Sequence, residues 1–285
     1  MSLIKDLFKE IRPYQWYKNL VIFLPIVFVG KLFVIQDLLK VVLGFIALCL
    51  ISSGNYVIND LIDVKADRLH PIKRNRPIAS GRLSKSCGIC LGCFAFVGGA
   101  LIGFSFGNLF FYSCLALIII GLLYSVWLKG EPFLDIILIG LKFVIRAISG
   151  AFIINVEISP WLILGIFFFA LFLASTKRYG DIVLLEKEAK QHKKVLGFYN
   201  KTLALSFMNI STSILIVFYS LYIFMGQKNE LIYTLPSAVY CIFRYYFLSL
   251  SSPTKASAVE RALFDKKLLI GMVITGLILL VVLYG

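Results

Sequence analysis

Two histidines, His70 and His192, are all this chain contains. A histidine-rich metal centre is therefore excluded. Charge is scarce as well. Only 15% of the 285 residues are Asp, Glu, Lys or Arg, against 60% hydrophobic, which is too little polarity for the surface of a water-soluble domain of this size. Cysteine supplies no framework. Cys87, Cys90 and Cys93 form C-x-x-C-x-x-C, but a fourth ligand is missing and the run opens an apolar segment, so they read as small packing residues. Linkers, low-complexity stretches and a cleavable signal are also missing, and one integral membrane domain over residues 1–285 is expected.

What the chain does have is apolar runs of about 20 residues, the length a helix needs to cross a bilayer. The runs are continuous, not alternating, which selects helices over a barrel. The expected fold is an all-α polytopic membrane protein, with spans at 20–36, 39–58, 86–105, 108–127, 133–154, 160–176, 203–225, 230–249 and 267–284. That makes nine transmembrane helices. The net charge of +14 does not signal nucleic acid, because the bases are sorted by membrane side. The N-terminal segment and alternate loops hold most of them, and the opposite face keeps Lys31, Lys40 and Lys228. The positive-inside rule then places the N-terminus and two long polar loops, about 59–85 and 177–202, in the cytoplasm, with Gly285 outside. Residues 1–19 carry Leu3, Ile4, Leu7, Phe8 and Ile11 on one side, as expected of an amphipathic helix lying on the inner surface of the lipid bilayer. The similar placement of the two polar loops suggests two helical halves, each giving one loop to a central cavity.

The first loop carries the chemistry. Asn59, Asp60, Asp63 and Asp67 share roughly one helix face. Carboxylates this close repel one another unless a cation sits among them. His70, Lys73, Arg74 and Arg76 follow directly. Carboxylates for a hard metal, then cations for phosphate oxygens, are what a metal–diphosphate site needs. The plain alternative is a solvated loop with helix-capping acids.

The fifth span adds Asp135, Lys142 and Arg146 on one stripe. A charge near the bilayer centre costs about 2.5–3.5 kcal/mol, so the stripe faces a polar interior. It is either a self-satisfied ion-pair stripe or a cationic wall for an anion. Asp135 alone cannot neutralise both bases, which favours the wall.

The N-D-x-x-D-x-x-x-D run resembles the first aspartate-rich motif of the UbiA superfamily of intramembrane prenyltransferases. RPYQWYKNLVIFLPIVFVG at 12–30, DRLHPIKRNRPIASG at 67–81, LKFVIRAISGAF at 141–152 and FFFALFLASTKRYGD at 167–181 resemble its decaprenyl-phosphate phosphoribosyltransferase branch. The resemblance covers nearly the whole chain. It implies transfer of 5-phosphoribose from phosphoribosyl diphosphate to a polyprenyl phosphate, release of diphosphate, use of magnesium (Mg), and nine helices around a cavity in a bacterial-type inner membrane. The second loop departs from the superfamily's prenyltransferases. In place of a second aspartate-rich motif stands TKRYGDIVLLEKE, where Lys177 and Arg178 lead and Asp181, Glu186 and Glu188 miss the D-x-x-x-D spacing. One acidic and one basic cluster suit one metal-bound diphosphate and one metal-free phosphate.

On this reading Asn59 and Asp63 are the first magnesium ligands, with Asp60 and Asp67 as further ligands or supports, and Asn59, Asp60 and Asp63 are the catalytic set. Lys18 either holds diphosphate or snorkels to the interface. Tyr56 either hydrogen-bonds the sugar or packs as an aromatic. Lys73 and Arg76 are assigned to the ribose 5-phosphate or the lipid phosphate. His70 either binds or shapes the loop before Pro71. Lys142 and Arg146 are assigned to the lipid phosphate, and Lys177 and Arg178 either bind phosphate or anchor a span end. Arg244, Tyr245, Glu260 and Asp265 receive no role beyond cavity lining. A lipid phosphate is already ionised near neutral pH, so no Ser-His-Asp arrangement is expected. Two other functions compete. One is a UbiA-type prenyltransferase that moves a polyprenyl group from its diphosphate to an aromatic acceptor in quinone synthesis, and the basic second loop counts against it. The other is an organic-ion transporter, against which the densest charge lies in loops instead of at mid-span.

Overall fold

In a computed structural model, residues 3–70, 73–185, 194–226, 228–252, 254, 262 and 264–285 are described, and the regular structure among them is helical. A short helix α1 (Leu3–Glu10) leads into a 3-10 segment (Pro13–Phe23) and a short α2 (Leu24–Phe28). The long helices follow: α3 (Ile35–Leu69), α4 (Lys85–Ser105), α5 (Asn108–Val126), α6 (Leu134–Ile153), α7 (Pro160–Leu185), α8 (Lys201–Phe224), α9 (Leu235–Ser251) and α10 (Lys266–Tyr284). Among the described residues eight helices are long and apolar enough to cross a membrane, α9 together with the 3-10 turn before it.

The ninth expected span, 20–36, is not one of them. Pro13 and Pro25 remove N–H donors, and the chain turns at Gly30 (φ 77°), so no long α-helix forms there. The segment nevertheless runs antiparallel along α3. Trp16 donates to Ser53 (3.1 Å), Asn19 accepts from Ser52 (3.2 Å), and the Phe23 ring lies 5.7 Å from that of Phe45. A 3-10 helix rises about 2 Å per residue, against about 1.5 Å in an α-helix. Eleven 3-10 residues and five α residues therefore reach roughly 30 Å, near the thickness of the hydrocarbon core.

Close packing divides the chain into two units, Met1–Lys129 with Ile145–Glu157, and Gly130–Val144 with Ile158–Gly285. Helix α6 contributes to both. In the first unit α3 packs on α4 and α5. Its core joins Ile22, Ile26, Val41, Leu48, Phe110 and Ile153. Between apolar helices in lipid, such van der Waals fit is what holds the packing together. Gly150 admits the 3-10 segment, since a Cβ there would lie 2.0 Å from the Ile22 carbonyl oxygen. In the second unit α7 pairs with α8 and α9 with α10, around Phe172, Met208, Tyr245 and Leu248.

The polar loops begin later than expected. Helix α3 carries Asn59 to Asp67 and ends at Leu69, where Pro71 drives the preceding His70 to extended backbone (ψ 131°). Helix α7 runs past 176 to Leu185, so Lys177, Arg178 and Asp181 lie on a helix and not in a loop. Glu186, Glu188, His192 and Glu260 fall outside the described residues. The expected amphipathic helix over 1–19 is confined to Leu3–Glu10. Its apolar Leu3, Ile4 and Phe8 are exposed while Asp6 and Glu10 are buried, the inverse of a helix in water and the arrangement suited to a bilayer surface.

Candidate active site

The first unit gathers acids and bases where α3 emerges from its apolar stretch. Asp60 and Asp67 are each 2% exposed. Arg12 reaches both oxygens of Asp60, and Arg76 donates to Asp60 at 2.9 Å and to Asp67 at 2.5 Å. Lys73 stands 3.9 Å from Asp67. Burial pushes the Lys73 ammonium below its ordinary pKa, against the pull of Asp67. One turn away Asp63 accepts from Lys129 at 2.6 Å and keeps about a quarter of its side chain exposed (27%). Carboxylates and bases therefore alternate from Arg12 to Lys73.

Four of the expected residues thus meet in one network, Asp60, Asp67, Lys73 and Arg76, with Asp63 and half-buried Asn59 beside it on α3. Tyr56 lies one turn before Asp60 with Arg12 over its ring at 5.2 Å. His70 accepts the Lys73 backbone N–H at Nδ1 (3.3 Å). Lys18 donates to Gln15 and lies 5.8 Å from the Tyr17 ring centroid. Arg146 donates to buried Asn19 at 2.7 Å.

The second unit rearranges the expected ion pairs. Asp135 is fully buried and accepts from Arg178 (2.7 Å) and from Tyr199 (2.7 Å). Tyr199 also accepts the Phe133 backbone N–H at 2.8 Å. Burial, and the hydrogen bond it gives Asp135, hold the Tyr199 phenol above its ordinary pKa. The self-satisfied stripe of Asp135 with Lys142 and Arg146 does not form, because Asp135 is taken by α7. Arg178 pairs with Asp135 at 2.5 Å and also lies 3.7 Å from Asp181, one turn on along α7. Lys177 is exposed and Lys142 half-buried. Arg244 forms a fork with Asp265 (3.0 and 2.8 Å), and Asp265 caps α10 through Leu268 N–H (2.9 Å). Both therefore brace helices.

Three participants escaped the sequence reading. Arg12 lies inside the R-P-x-Q-W-x-K-N run, and Lys129 is the one base between α5 and α6; both signals were available. Glu10 had none. It is 1% exposed, and neither oxygen has a hydrogen bond of normal geometry among the described residues, although Asp60 and the Ile78 N–H act on it. Burial first, then the charge of Asp60, push its carboxyl up to about 8.

No three acidic, histidine or cysteine side chains among the described residues are preassembled around one point. The donor set still fits a hard cation. Magnesium takes one or two carboxylates and fills its sphere with water and phosphate oxygens, and Asp63, partly exposed beside Asn59, offers that.

A family model described as UbiA prenyltransferase family matches residues 22–283. The decaprenyl-phosphate phosphoribosyltransferase of Mycolicibacterium smegmatis is 32% identical over 238 residues, 82% of this chain and 75% of that protein. A UbiA homolog from Archaeoglobus fulgidus superposes with a TM-score of 0.73 at 19% identity, covering 96% of both chains. A structure of a UbiA homolog from the same organism bound to GPP and Mg2+ gives 0.70, also at 19% identity and 96% of both. At that identity the structural likeness concerns the fold.

Proposed function

The chain belongs to the UbiA prenyltransferase family, and we propose that it transfers 5-phosphoribose from phosphoribosyl diphosphate to a polyprenyl phosphate, releasing diphosphate. The observation that carries this reading is the alternation of α3 carboxylates with loop cations, Asp60 and Asp67 with Arg76 and Lys73. Acids alone would suit a metal, and bases alone an anion. Interleaved, they suit a metal-bound diphosphate with a further phosphate beside it. The relative from M. smegmatis, named a decaprenyl-phosphate phosphoribosyltransferase, supports the choice of transferred group and acceptor.

The reaction is a displacement at the anomeric carbon. A lipid phosphate oxygen forms the new C–O bond as the bond to diphosphate breaks, and negative charge grows on the departing oxygens. The acceptor oxygen is already ionised, so the protein needs to position and to stabilise charge. Asn59 and Asp63, with Asp67 behind them, would hold magnesium. When bound, the metal neutralises diphosphate oxygens and orients them. Lys73 and Arg76 take phosphoryl oxygens of the donor, Arg as a fork and Lys as a point charge. Lys18 is assigned to diphosphate, and Arg146, with Lys142 one turn before it on α6, to the lipid phosphate. Arg178 is left to hold Asp135, and Asp60 to hold Arg12 and Arg76. The chain then acts as an integral enzyme of the cell membrane with its donor site on the cytoplasmic side.

The test uses purified protein in detergent, a polyprenyl phosphate, magnesium and labelled phosphoribosyl diphosphate. Label entering the lipid phase with release of diphosphate is expected. No labelling, but turnover of a prenyl diphosphate onto an aromatic acid, would replace this reading with the quinone branch. Asp63→Ala should abolish transfer with an unchanged melting temperature, because Asp63 is partly exposed. Near-normal transfer by that variant would remove the metal assignment.

A further inference from the structure

Arg12 sits in a backbone conformation that its side chain alone does not favour. Its φ and ψ are 51° and 60°, left-handed geometry that strains a non-glycine residue and persists where surrounding contacts over-determine it. The following residue is Pro13, whose ring further narrows the choices. The contacts are plain. The side chain is 14% exposed, and its guanidinium engages both oxygens of Asp60 and covers the Tyr56 ring at 5.2 Å.

Asp60 is what makes the contact consequential. The same carboxylate also accepts from Arg76 at 2.9 Å, and Arg76 continues to Asp67 at 2.5 Å. Two guanidinium groups thus share one buried carboxylate. Arg12 is the more buried of the two, at 14% against 25% exposed. In a shared pair each cation is neutralised less than in a private one, because the two bases repel. Arg76 is aimed by Asp60 without having its charge fully consumed there.

We propose that Arg12 is a positioning residue for the donor. It neutralises Asp60 from the buried side, so that Arg76 stays oriented by that carboxylate yet keeps its charge for a phosphoryl oxygen. The ligand chemistry is a diphosphate or phosphate monoester oxygen, and the inference rests on the diphosphate-donor reading above.

The test uses the full chain in detergent with inorganic diphosphate and magnesium, read by calorimetry so that no turnover is needed, alongside KM values for phosphoribosyl diphosphate and for the lipid phosphate. In Arg12→Gln the backbone strain is unchanged but the cation is gone. Diphosphate affinity should fall about tenfold, the donor KM should rise in proportion, and the lipid KM should not move. Arg12→Lys keeps a charge without the fork and should fall in between. Arg12→Gln combined with Asp60→Asn removes both charges and leaves an amide to aim Arg76, so most of the diphosphate affinity should return. A brace that only stabilises the fold would lower the melting temperature in Arg12→Gln and leave diphosphate affinity intact in every folded variant; that result overturns the proposal. Wild-type protein whose diphosphate affinity depends on Arg12 but that uses a different donor would sink the phosphoribosyl reading and leave the positioning role standing.

Discussion

Glu10 shows at the scale of one residue what crowding acids and bases at a membrane surface entails. Its carboxyl is raised from an ordinary 4.5 to about 8. Between those values the folded chain holds a proton that the unfolded chain has released. Stability is therefore fully present below about 4.5 and declines as pH rises to about 8, by at most about 1.4 kcal/mol per pH unit. Glu10→Gln removes this dependence. Its melting temperature should match wild type at low pH, exceed it increasingly as pH rises, and hold a constant lead above about 8; parallel curves at all pH values would contradict the assignment. The sequence showed the acids of 59–67 readily, because their spacing on one helix is local. It could not show that Asp60 is committed to two guanidinium groups, or that Arg178 pairs with Asp135, because those partners come from distant parts of the chain. Glu10 was invisible for the same reason. An acid on an amphipathic helix reads as its solvated side until the helix is seen with that side turned inward.

Among elements, α4 to α6 and α8 to α10 lie within a few residues of the apolar runs that announced them, while α7 carries on past its run to Leu185, since in lipid every backbone group must be satisfied within the helix. The segment 13–28 is the exception. Apolarity reports which solvent a stretch prefers and not the path its backbone takes, and here two prolines and the ladder along α3 set the path. Gly150 tests that packing. Gly150→Ala would drive a methyl into a backbone carbonyl that no rotamer change can move, and overpacking of this kind costs about 1–3 kcal/mol. Gly276, within α10, has open space where a Cβ would stand, so Gly276→Ala should be neutral or stabilising by up to about 1 kcal/mol from helix propensity. Thermal unfolding of both in one detergent checks the pair. Equal effects would mean the 3-10 segment does not lie tightly against α6.

Over the whole molecule, charge asymmetry remains the argument for orientation. Arg82 pairs with Asp6 at 3.0 Å, tying α1 to the basic stretch after α3 and so to one end of that helix. Labelling with a membrane-impermeant thiol reagent in vesicles of known sidedness should find Lys9→Cys and Arg74→Cys reactive from the cytoplasmic side, with Glu230→Cys reactive from the other. Both positions and Glu230 are exposed. Reaction of all three from one side would overturn the topology. The fold class and membrane character were legible from composition because the solvent dictates them; the partition into two packed units sharing α6 was not, because it depends on which apolar faces meet.

The inverted face of α1 has one more consequence. Leu3, Ile4 and Phe8 offer themselves to lipid, Asp6 grips Arg82, and two residues past Glu10 the chain takes up its left-handed turn at Arg12. The lipid-facing foot and the Arg12–Asp60 pair are thus joined by one short stretch of chain. On the proposed reading, thickness and softness of the surrounding amphiphile become inputs to the reaction, and a detergent that lets α1 lift loosens the grip on diphosphate before it unfolds anything.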